Sequence, residues 1–289
     1  MIIDIHNHPD WLDLDLRGVL RNMDEYHIDV TWLLSLEGPQ DEYDQYGHRD
    51  FLPPAGGGII SALQAVLRYR EFAPARFVAG YCPDPRRPEA LDLMDMAVEV
   101  HKVRVCGELK LRMMYDNFDA LRLFRYCGEK KLPVIVHIDY ELDSGARYPR
   151  PNYWYGGGVE ALGRAVAACP ETIFFGHGPG FWATISGDDR HLTECYPQGE
   201  VVPGGKLPQM LRDLPNLYCD FSGGSGHNGI ARDPAFGKDF LLEFQDRICY
   251  ARDLFDNRQQ EALESLDLPA EVLEKVYSGN ALRLVPAEI

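Results

Sequence analysis

The strongest constraint on the fold of this chain is the regular order of its short apolar segments and its longer segments with helical spacing. Eight apolar, β-rich runs recur along the chain, and each precedes a segment of helical periodicity. The predicted strands are Ile2–His6, Val30–Leu36, Arg76–Cys82, Val103–Leu111, Leu132–Ile138, Thr172–His177, Leu217–Ser222 and Arg247–Asp253. The predicted helices lie near residues 15–27, 58–72, 88–101, 117–130, 158–168, 206–213, 234–244 and 258–266, with a further pair at the C-terminus. Strict alternation of strand and helix is typical of a parallel sheet, and eight units predict an α/β fold, the (β/α)₈ barrel.

The length of the chain agrees with one barrel domain over residues 1–289, since such barrels commonly run to about 250 residues as a single unit. Three of the connections from strand to helix are long, and they span 37–58, 139–158 and 178–205. Connections of this kind leave a barrel at the C-terminal ends of its strands, where active sites lie. We therefore expect these loops to cover a substrate pocket.

The net charge of the chain limits the classes of partner that it can bind. It carries 29 basic and 45 acidic residues, for a formal net charge of −16. A field of this sign repels phosphate backbones and anionic lipid surfaces, so neither nucleic acid nor a membrane is expected as a partner. A small-molecule substrate is the expected partner, and assembly into a homo-oligomer stays open.

Cysteine usage points to a cytoplasmic protein. The seven cysteines are an odd number, are scattered along the chain and include no C-x-x-C pair. Most lie in apolar stretches, which is typical of buried thiols in a reducing compartment. The first residues already have the pattern of a strand, and no run of about 18 apolar residues follows, so neither a signal peptide nor a membrane span is expected.

Two histidines finish the first predicted strand. Strand alternation places Asp4, His6 and His8 on one face, opposite the apolar Ile3 and Ile5. The Cα atoms of residues two apart on a strand are separated by about 6.6 Å, which allows two imidazoles to reach one ion. A surface turn or a capping pair is the alternative for two close histidines, but their position at the end of a barrel strand favours a metal site.

Three further polar side chains end later strands. His137 and His177 finish strands five and six, and Asp253 finishes strand eight. Each alone could be a satisfied core residue. Because the C-terminal ends of barrel strands converge, however, imidazoles and a carboxylate at four such ends predict a shared metal centre.

An ordered set of short motifs covers nearly the whole chain and resembles the amidohydrolase superfamily, within it the amidohydrolase family 2 group. The motifs are Asp4-Ile5-His6-Asn7-His8, Val136-His137, Gly176-His177-Gly178, Cys219-Asp220-Phe221-Ser222, Asp246-Arg247-Ile248 through Asp253, and Ser278-Gly279-Asn280-Ala281-Leu282-Arg283-Leu284. One departure is Ala251-Arg252-Asp253, where the family often has Gly-Ser-Asp or Gly-Thr-Asp. By alternation Arg252 points away from Asp253 and is expected to brace the barrel wall.

The resemblance implies a metal-dependent enzyme. It implies that His6, His8, His137 and Asp253 bind one divalent metal ion, with zinc expected, and that His177 orients or deprotonates a metal-activated water. The catalytic residues would then be His177 and Asp253. The expected reaction is hydrolysis of an amide, ester or lactone bond in a small, carboxylate-bearing substrate.

Other charged residues are expected around the centre. Asp4 is expected to accept a hydrogen bond from a ligand imidazole or to pair with Lys110, and Asp220 on strand seven has the same expected position. Glu108, Lys110 and Arg112 share one face of strand four. We expect an internal Glu108–Lys110 ion pair with Arg112 near the mouth, since buried charges are commonly paired. The alternative follows two-metal relatives, in which Glu108 or Lys110 would serve a second ion.

Three rival functions remain. Relatives on the same fold include metal-dependent decarboxylases and other lyases, in which Asp253 or His177 would protonate the substrate carbon. The PHP phosphoesterases also open on H-x-H but end their metal set with Asp-x-His, and Arg252-Asp253-Leu254 counts against them. A non-catalytic binding or scaffolding barrel is the third alternative, and a stoichiometric metal ion would argue against it.

Overall fold

Eight parallel strands form the barrel wall in the computed structural model, which describes residues 1–39, 42, 59–140 and 154–286. These strands are β1 (Ile3–Asn7), β2 (Val30–Leu33), β5 (Phe77–Ala79), β6 (Cys106–Leu109), β7 (Val134–His137), β8 (Phe174–His177), β9 (Leu217–Phe221) and β10 (Ile248–Tyr250). Two short strands, β3 (Leu36–Glu37) and β4 (Ile59–Ser61), pair antiparallel outside this wall. The predicted α/β barrel is thereby confirmed.

The wall is continuous around the barrel. Its strands follow the orders β1-β2-β5 and β10-β9-β8-β7-β6, with parallel pairing in both groups. A parallel bridge between Gly80 and Val105 joins β5 to β6. On the other side, the backbone N–H of Asp253 donates to the carbonyl of His6 at 2.8 Å and joins the end of β10 to β1. The C-terminal ends of all eight strands therefore meet at one mouth.

The helices surround the wall in the predicted order. They are α1 (Leu16–Glu25), α2 (Leu63–Phe72), α3 (Ala90–Glu99), α4 (Phe118–Lys130), α5 (Gly158–Ala168), α6 (Pro179–Trp182), α7 (Lys206–Asp213), α8 (Gly223–Ala231), α9 (Pro234–Glu243), α10 (Arg258–Ser265), α11 (Ala270–Glu274) and α12 (Asn280–Leu284). A π-helical turn at Lys275–Gly279 links the last two. No described helix combines the length and the apolar character needed to cross a bilayer.

Local chemistry explains several helix starts. Asp15 and Asn117 cap α1 and α4, because their side-chain oxygens accept the backbone N–H three residues later at 2.8 and 2.9 Å. Asp233 caps α9, and Pro234 occupies its first position. These starts agree with the sequence pattern, whereas the predicted helix 58–72 begins later because residues 59–61 form β4.

The inside of the barrel is filled by apolar side chains below the mouth. One buried cluster draws on strands from around the wall and comprises Ile3, Ile5, Val30, Trp32, Leu34, Val105, Ile135, Phe175, Tyr218, Cys249 and Ala251, with residues of the C-terminal segment. A larger cluster packs the outer strand faces against the helices. All seven cysteines are buried thiols, as the sequence predicts.

The face occupied by Asp4 differs from the prediction. The pairing register of β1 is irregular between Asp4 and Asn7, so alternation fails across this stretch. The Asp4 carboxylate pairs with the fully buried Arg252 at 2.9 Å, and Arg252 also donates to Asn22 of α1 at 2.8 Å. The expected bond from Asp4 to a ligand imidazole or to Lys110 was therefore wrong. Asp4 faces the helix layer and supports the first strand by accepting the His6 backbone N–H at 3.2 Å.

Removal of Arg252 provides a test of this buried pair. We expect Arg252→Ala to lower the free energy of unfolding by about 3–5 kcal/mol, because it leaves the Asp4 carboxylate buried without its cation. Urea denaturation measures this change. Arg212→Ala is the control, since Arg212 is half-exposed in its pair with Glu243 and its loss should cost about 1 kcal/mol or less. Equal stabilities of the two variants would contradict this role.

Candidate metal centre

Four side chains place potential ligand atoms at the mouth of the barrel. Nε2 of His6 lies 3.3 Å from Nε2 of His8 and 3.6 Å from Oε2 of Glu108, and Nε2 of His8 lies 3.3 Å from the same Glu108 oxygen. Oδ1 of Asp253 lies 3.7 Å from Nε2 of His6 and 3.6 Å from Nε2 of His8. Two groups of potential metal ligands thus share His6: one adds His8 and Asp253, and the other adds Glu108 and His177.

The spacing of these atoms fits a metal ion. A tetrahedral ion with bonds of about 2.0–2.1 Å separates its ligand atoms by about 3.4 Å. The five distances above range from 3.3 to 3.7 Å. Two imidazoles and two carboxylates form a ligand set that suits zinc and related divalent ions. The chemistry and the geometry of the cluster therefore both fit a divalent metal.

Both ligand imidazoles are held by their second nitrogen. Nδ1 of His6 lies 2.6 Å from Oδ2 of Asp220, and Nδ1 of His8 lies 2.9 Å from the backbone carbonyl of Leu34. Each contact engages the nitrogen that faces away from the cluster and leaves Nε2 directed toward it. The structure thus places Asp220 where the sequence predicts it, behind a ligand imidazole.

The backbone fixes the two carboxylates. Glu108 lies on β6, where its N–H donates to the carbonyl of Ser35 at 2.8 Å. Asp253 follows β10 with a φ of 53°, a left-handed conformation that aspartate adopts more readily than most residues. Its N–H bond to His6 holds the two ends of the ligand cluster together.

His177 approaches the cluster from β8. Its Nε2 lies 3.5 Å from Oδ2 of Asp253 and 3.8 Å from Oε1 of Glu108, and its Nδ1 lies 2.8 Å from the hydroxyl of Ser222. Gly178 next to it has a φ of 96°, and a Cβ there would lie 2.5 Å from the carbonyl of Ile138. Ser222 is therefore a site residue for which the sequence motif Cys219-Asp220-Phe221-Ser222 predicted no role.

His137 lies beside the cluster. Its Nδ1 is 3.0 Å from Oε1 of Glu108, and its Nε2 is 3.3 Å from Oδ2 of Asp139. The imidazole is thus held between two carboxylates, and Glu108 stands between it and the atoms of His6 and His8. Asp139, which is buried, is a further residue that sequence reasoning missed.

The environment of Glu108 differs from the expected ion pair with Lys110. Its carboxylate lies within 3.0–3.8 Å of the imidazoles of four histidines, which are His6, His8, His137 and His177. Nζ of Lys110 lies 5.2 Å from the ring centroid of Tyr155, and the Arg112 guanidinium lies 5.9 Å from the same centroid. The expected Glu108–Lys110 pair is therefore wrong, and Glu108 faces the candidate metal cluster beside His6 and His8, whereas the stated alternative gave it a second ion.

The sequence model of amidohydrolase family 2, described as Amidohydrolase, matches residues 3–287. The chain belongs to this amidohydrolase family. The resemblance seen in its motifs is thereby confirmed over nearly the whole length. No curated protein sequence matches the chain significantly.

Solved structures share the barrel of this amidohydrolase. An uncharacterized TIM-barrel protein from Bordetella bronchiseptica has a TM-score of 0.65 at 16% identity, with 98% of each chain covered. A dihydroxybenzoic acid decarboxylase from Polaromonas sp. JS666, solved with bound manganese and an inhibitor, has a TM-score of 0.61 at 17% identity, with 98% of this chain and 96% of that chain covered. A probable 2-pyrone-4,6-dicarboxylic acid hydrolase from Acinetobacter baumannii has a TM-score of 0.58 at 10% identity, with 98% of each chain covered. At these identities the likeness shows the fold.

Burial and neighbouring charges shift the pKa values of His6 and Glu108 in opposite directions. Burial lowers the pKa of His6, but the carboxylates of Asp220, Asp253 and Glu108 outweigh burial and hold that pKa well above its ordinary value. Burial raises the pKa of Glu108, but His6 and the other imidazoles around it bring it well below the ordinary range. Glu108 is therefore ionised, as a metal ligand must be.

The pKa shifts of His177 and Asp253 run in the opposite directions to those of His6 and Glu108. Burial, with the positive charges of His6 and His137, lowers the pKa of His177 well below its usual value. Burial raises the pKa of Asp253. His177 is therefore a neutral imidazole around pH 7, which is the form that accepts a proton.

A pocket of about 300 Å³ opens over the ligand cluster. His137, His177 and Asp253 form its floor, and its sides include Lys110, Asp139, Trp11, Leu12, Tyr196, Leu254 and the start of α8. The volume is at the lower end of the range for small-molecule sites. Much of the long loops predicted to cover it, 37–58 and 139–158, lies outside the described residues.

Asp220 provides a test of ligand support. We expect Asp220→Asn to weaken metal binding by about 10–100-fold, because the His6 ring loses the carboxylate that orients it and raises its basicity. Competition with a fluorescent chelator measures this affinity. Asp213→Asn makes the same charge change at an exposed site on α7 and should leave the affinity unchanged. Equal affinities of the two variants would show that Asp220 does not support the site.

Proposed function

We propose that the chain is a metal-dependent hydrolase of small molecules in which His6, His8, Glu108 and Asp253 hold one divalent ion, with zinc the expected metal. The support is a set of five distances of 3.3–3.7 Å among their ligand atoms, together with the grouping of His6, His8 and Asp253 as potential metal ligands. His137 belongs to the ligand set that the sequence predicts, and here it contacts Glu108 instead. We therefore assign His137 a place beside the ion.

The protein groups around the ion suit acid–base chemistry. When bound, such an ion polarises a carbonyl and makes a water molecule more acidic. His177 is neutral, and it can accept a proton at Nε2 in the tautomer whose Nδ1–H donates to the Ser222 hydroxyl. Oδ2 of Asp253 lies 3.5 Å from that Nε2, so a proton can pass between the two groups toward a leaving group.

The position of the Glu108 carboxylate beside His6 and His8 is the observation that favours hydrolysis. Two carboxylates in the ligand set, those of Glu108 and Asp253, offset the charge of a divalent ion. An ion whose charge is neutralised by two carboxylate ligands attracts a substrate carboxylate weakly, whereas it still polarises a neutral carbonyl. The site therefore suits an amide, ester or lactone better than a substrate that must bind the ion through a carboxylate.

A decarboxylase or other lyase is the second candidate. The observation that favours it is Lys110, a nearly buried cation on the pocket wall that could hold a substrate carboxylate. Asp253 would then protonate the substrate carbon. A decarboxylase and a probable hydrolase both share this fold, so an experiment must distinguish hydrolysis from decarboxylation.

The experiment is a substrate screen in ¹⁸O-labelled water. Metal-loaded protein is given esters, lactones, amides and carboxylic acids, and products are analysed by mass spectrometry together with released carbon dioxide. A hydrolase places one labelled oxygen in its acidic product and releases no carbon dioxide. Carbon dioxide release without labelling would establish the second candidate and contradict the first.

A further inference from the structure

A second chamber lies beside the metal pocket. It has a volume of about 650 Å³, and it shares Tyr196, Gly224 and Leu254 with the pocket over the ligand cluster. These shared wall residues make the two spaces neighbours, so a molecule whose head lies at the metal centre can extend its tail into the chamber.

The chamber is basic although the protein is strongly acidic. Its charged lining residues are Arg232 and Arg258, His227 adds a titratable imidazole, and none of the described residues that line it is acidic. The whole chain has a formal charge of −16. A cationic wall beside the pocket of such a protein is suited to an anion.

The guanidinium of Arg232 makes no hydrogen bond to any part of the chain that the structure describes. Nε, Nη1 and Nη2 are all shielded from solvent and without a partner. A buried cation in this state is costly unless a charged group satisfies it. The unmet hydrogen-bonding capacity therefore points to a ligand.

Nearby carboxylates are committed elsewhere. Asp188 accepts the backbone N–H of Arg190 at 3.3 Å. Asp233 accepts the backbone N–H of Val201 at 2.9 Å and that of Phe236 at 3.2 Å, and Glu194 pairs with Arg190 at 3.1 Å. They contribute a favourable field at Arg232 but no hydrogen bond. An added anion would therefore not displace an existing partner of Arg232.

Arg258 offers a second donor. Asp256 binds its Nε and Nη2 at 2.9 and 2.6 Å. Its Nη1 faces Gly224, where an added Cβ would lie 3.8 Å from that nitrogen. Gly224 also lines the metal pocket, so Arg258 stands at the boundary between the two spaces.

We propose that the chamber binds a distal carboxylate of the substrate through Arg232 and Arg258, while the reacting carbonyl lies at the metal centre. This inference rests on the proposed function and narrows its substrates to acids whose carboxylate is remote from the scissile bond. The Arg232 guanidinium can recognise a carboxylate by paired hydrogen bonds, and Arg258 can add one hydrogen bond from Nη1, because Asp256 occupies its Nε and Nη2. Binding requires the Arg232 side chain to turn toward the chamber, because its nitrogens are shielded in the present conformation.

The test uses probes with two ends. The monohydroxamates of glutarate, adipate, pimelate and suberate carry a metal-binding head and a terminal carboxylate, and alkyl hydroxamates of equal length lack the carboxylate. Isothermal titration calorimetry on the metal-loaded protein should show the best-fitting carboxylate probe binding about tenfold tighter than its alkyl partner. Arg232→Gln and Arg258→Gln should each reduce that preference to about twofold or less.

Two comparisons keep the outcomes distinct. Arg212→Gln removes one positive charge from the exposed face of α7 and should retain the full preference. Absence of a preference at every chain length in the unaltered protein, or retention of the full preference in either chamber variant, overturns the proposed anion site. If Asp253→Asn instead leaves alkyl hydroxamate binding unchanged, the proposed metal function fails, whereas an arginine-dependent preference would still support the chamber.

Discussion

Asp253→Asn and His8→Ala are each expected to abolish turnover while the barrel stays folded. His8→Ala removes an imidazole, and Asp253→Asn removes a negative charge, from the cluster in which His6, His8 and Asp253 lie within 3.3–3.7 Å of one another. Loss of a residue that only supports a ligand costs about 10–100-fold in metal affinity or activity, and loss of a ligand should cost more. Turnover rates, bound metal and circular dichroism measure these effects together.

Matched controls separate the site from general damage. Asp213→Asn and His101→Ala change the same residue types away from the barrel mouth and should retain activity and metal. Full activity in either ligand variant would refute the assigned roles. Loss of the far-ultraviolet signal in a ligand variant, by contrast, would assign its inactivity to unfolding, and Asp253→Glu would then provide the folded comparison.

Glu108→Gln is expected to lose the ion, whereas His137→Ala is expected to keep it. Oε2 of Glu108 lies 3.3–3.6 Å from both ligand imidazoles, and His137 contacts only the other oxygen of this carboxylate within the ligand cluster. The glutamine preserves the shape of Glu108 but not its charge, so metal affinity should fall by more than about 100-fold. His137→Ala should reduce affinity by about 10–100-fold through Glu108 alone.

Inductively coupled plasma mass spectrometry after gel filtration measures the metal content of both variants. The opposite result, with metal lost from His137→Ala and kept in Glu108→Gln, would support the ligand set His6, His8, His137 and Asp253 that the sequence predicts. The comparison therefore decides which side chain completes the centre.

The barrel could be predicted because its pattern is repeated and local. Each predicted strand is a short apolar run, and each predicted helix has apolar residues at helical spacing. Helix α8 was missed, since Gly223-Gly224-Ser225-Gly226 has low helix propensity. Its start adjoins Asp253 and His177, so packing at the site outweighs local preference there.

The candidate site could be predicted only in part. Strand ends identified the residues that converge, because parallel strands of a barrel deliver their C-terminal residues to one mouth. Alternation failed at Asp4, where the register of β1 is irregular. It also could not choose the partner of Glu108, because strand spacing identifies a shared face but not which neighbouring strand supplies the contact.

Anomalous diffraction at the absorption edge of the bound metal tests the central claim most directly. The account predicts one peak at the mouth of the barrel, with Nε2 of His6, Nε2 of His8 and Oδ1 of Asp253 each about 2.0–2.2 Å from it. A peak bound by other side chains in catalytically active crystals would contradict the claim, and so would active crystals with no peak at this position.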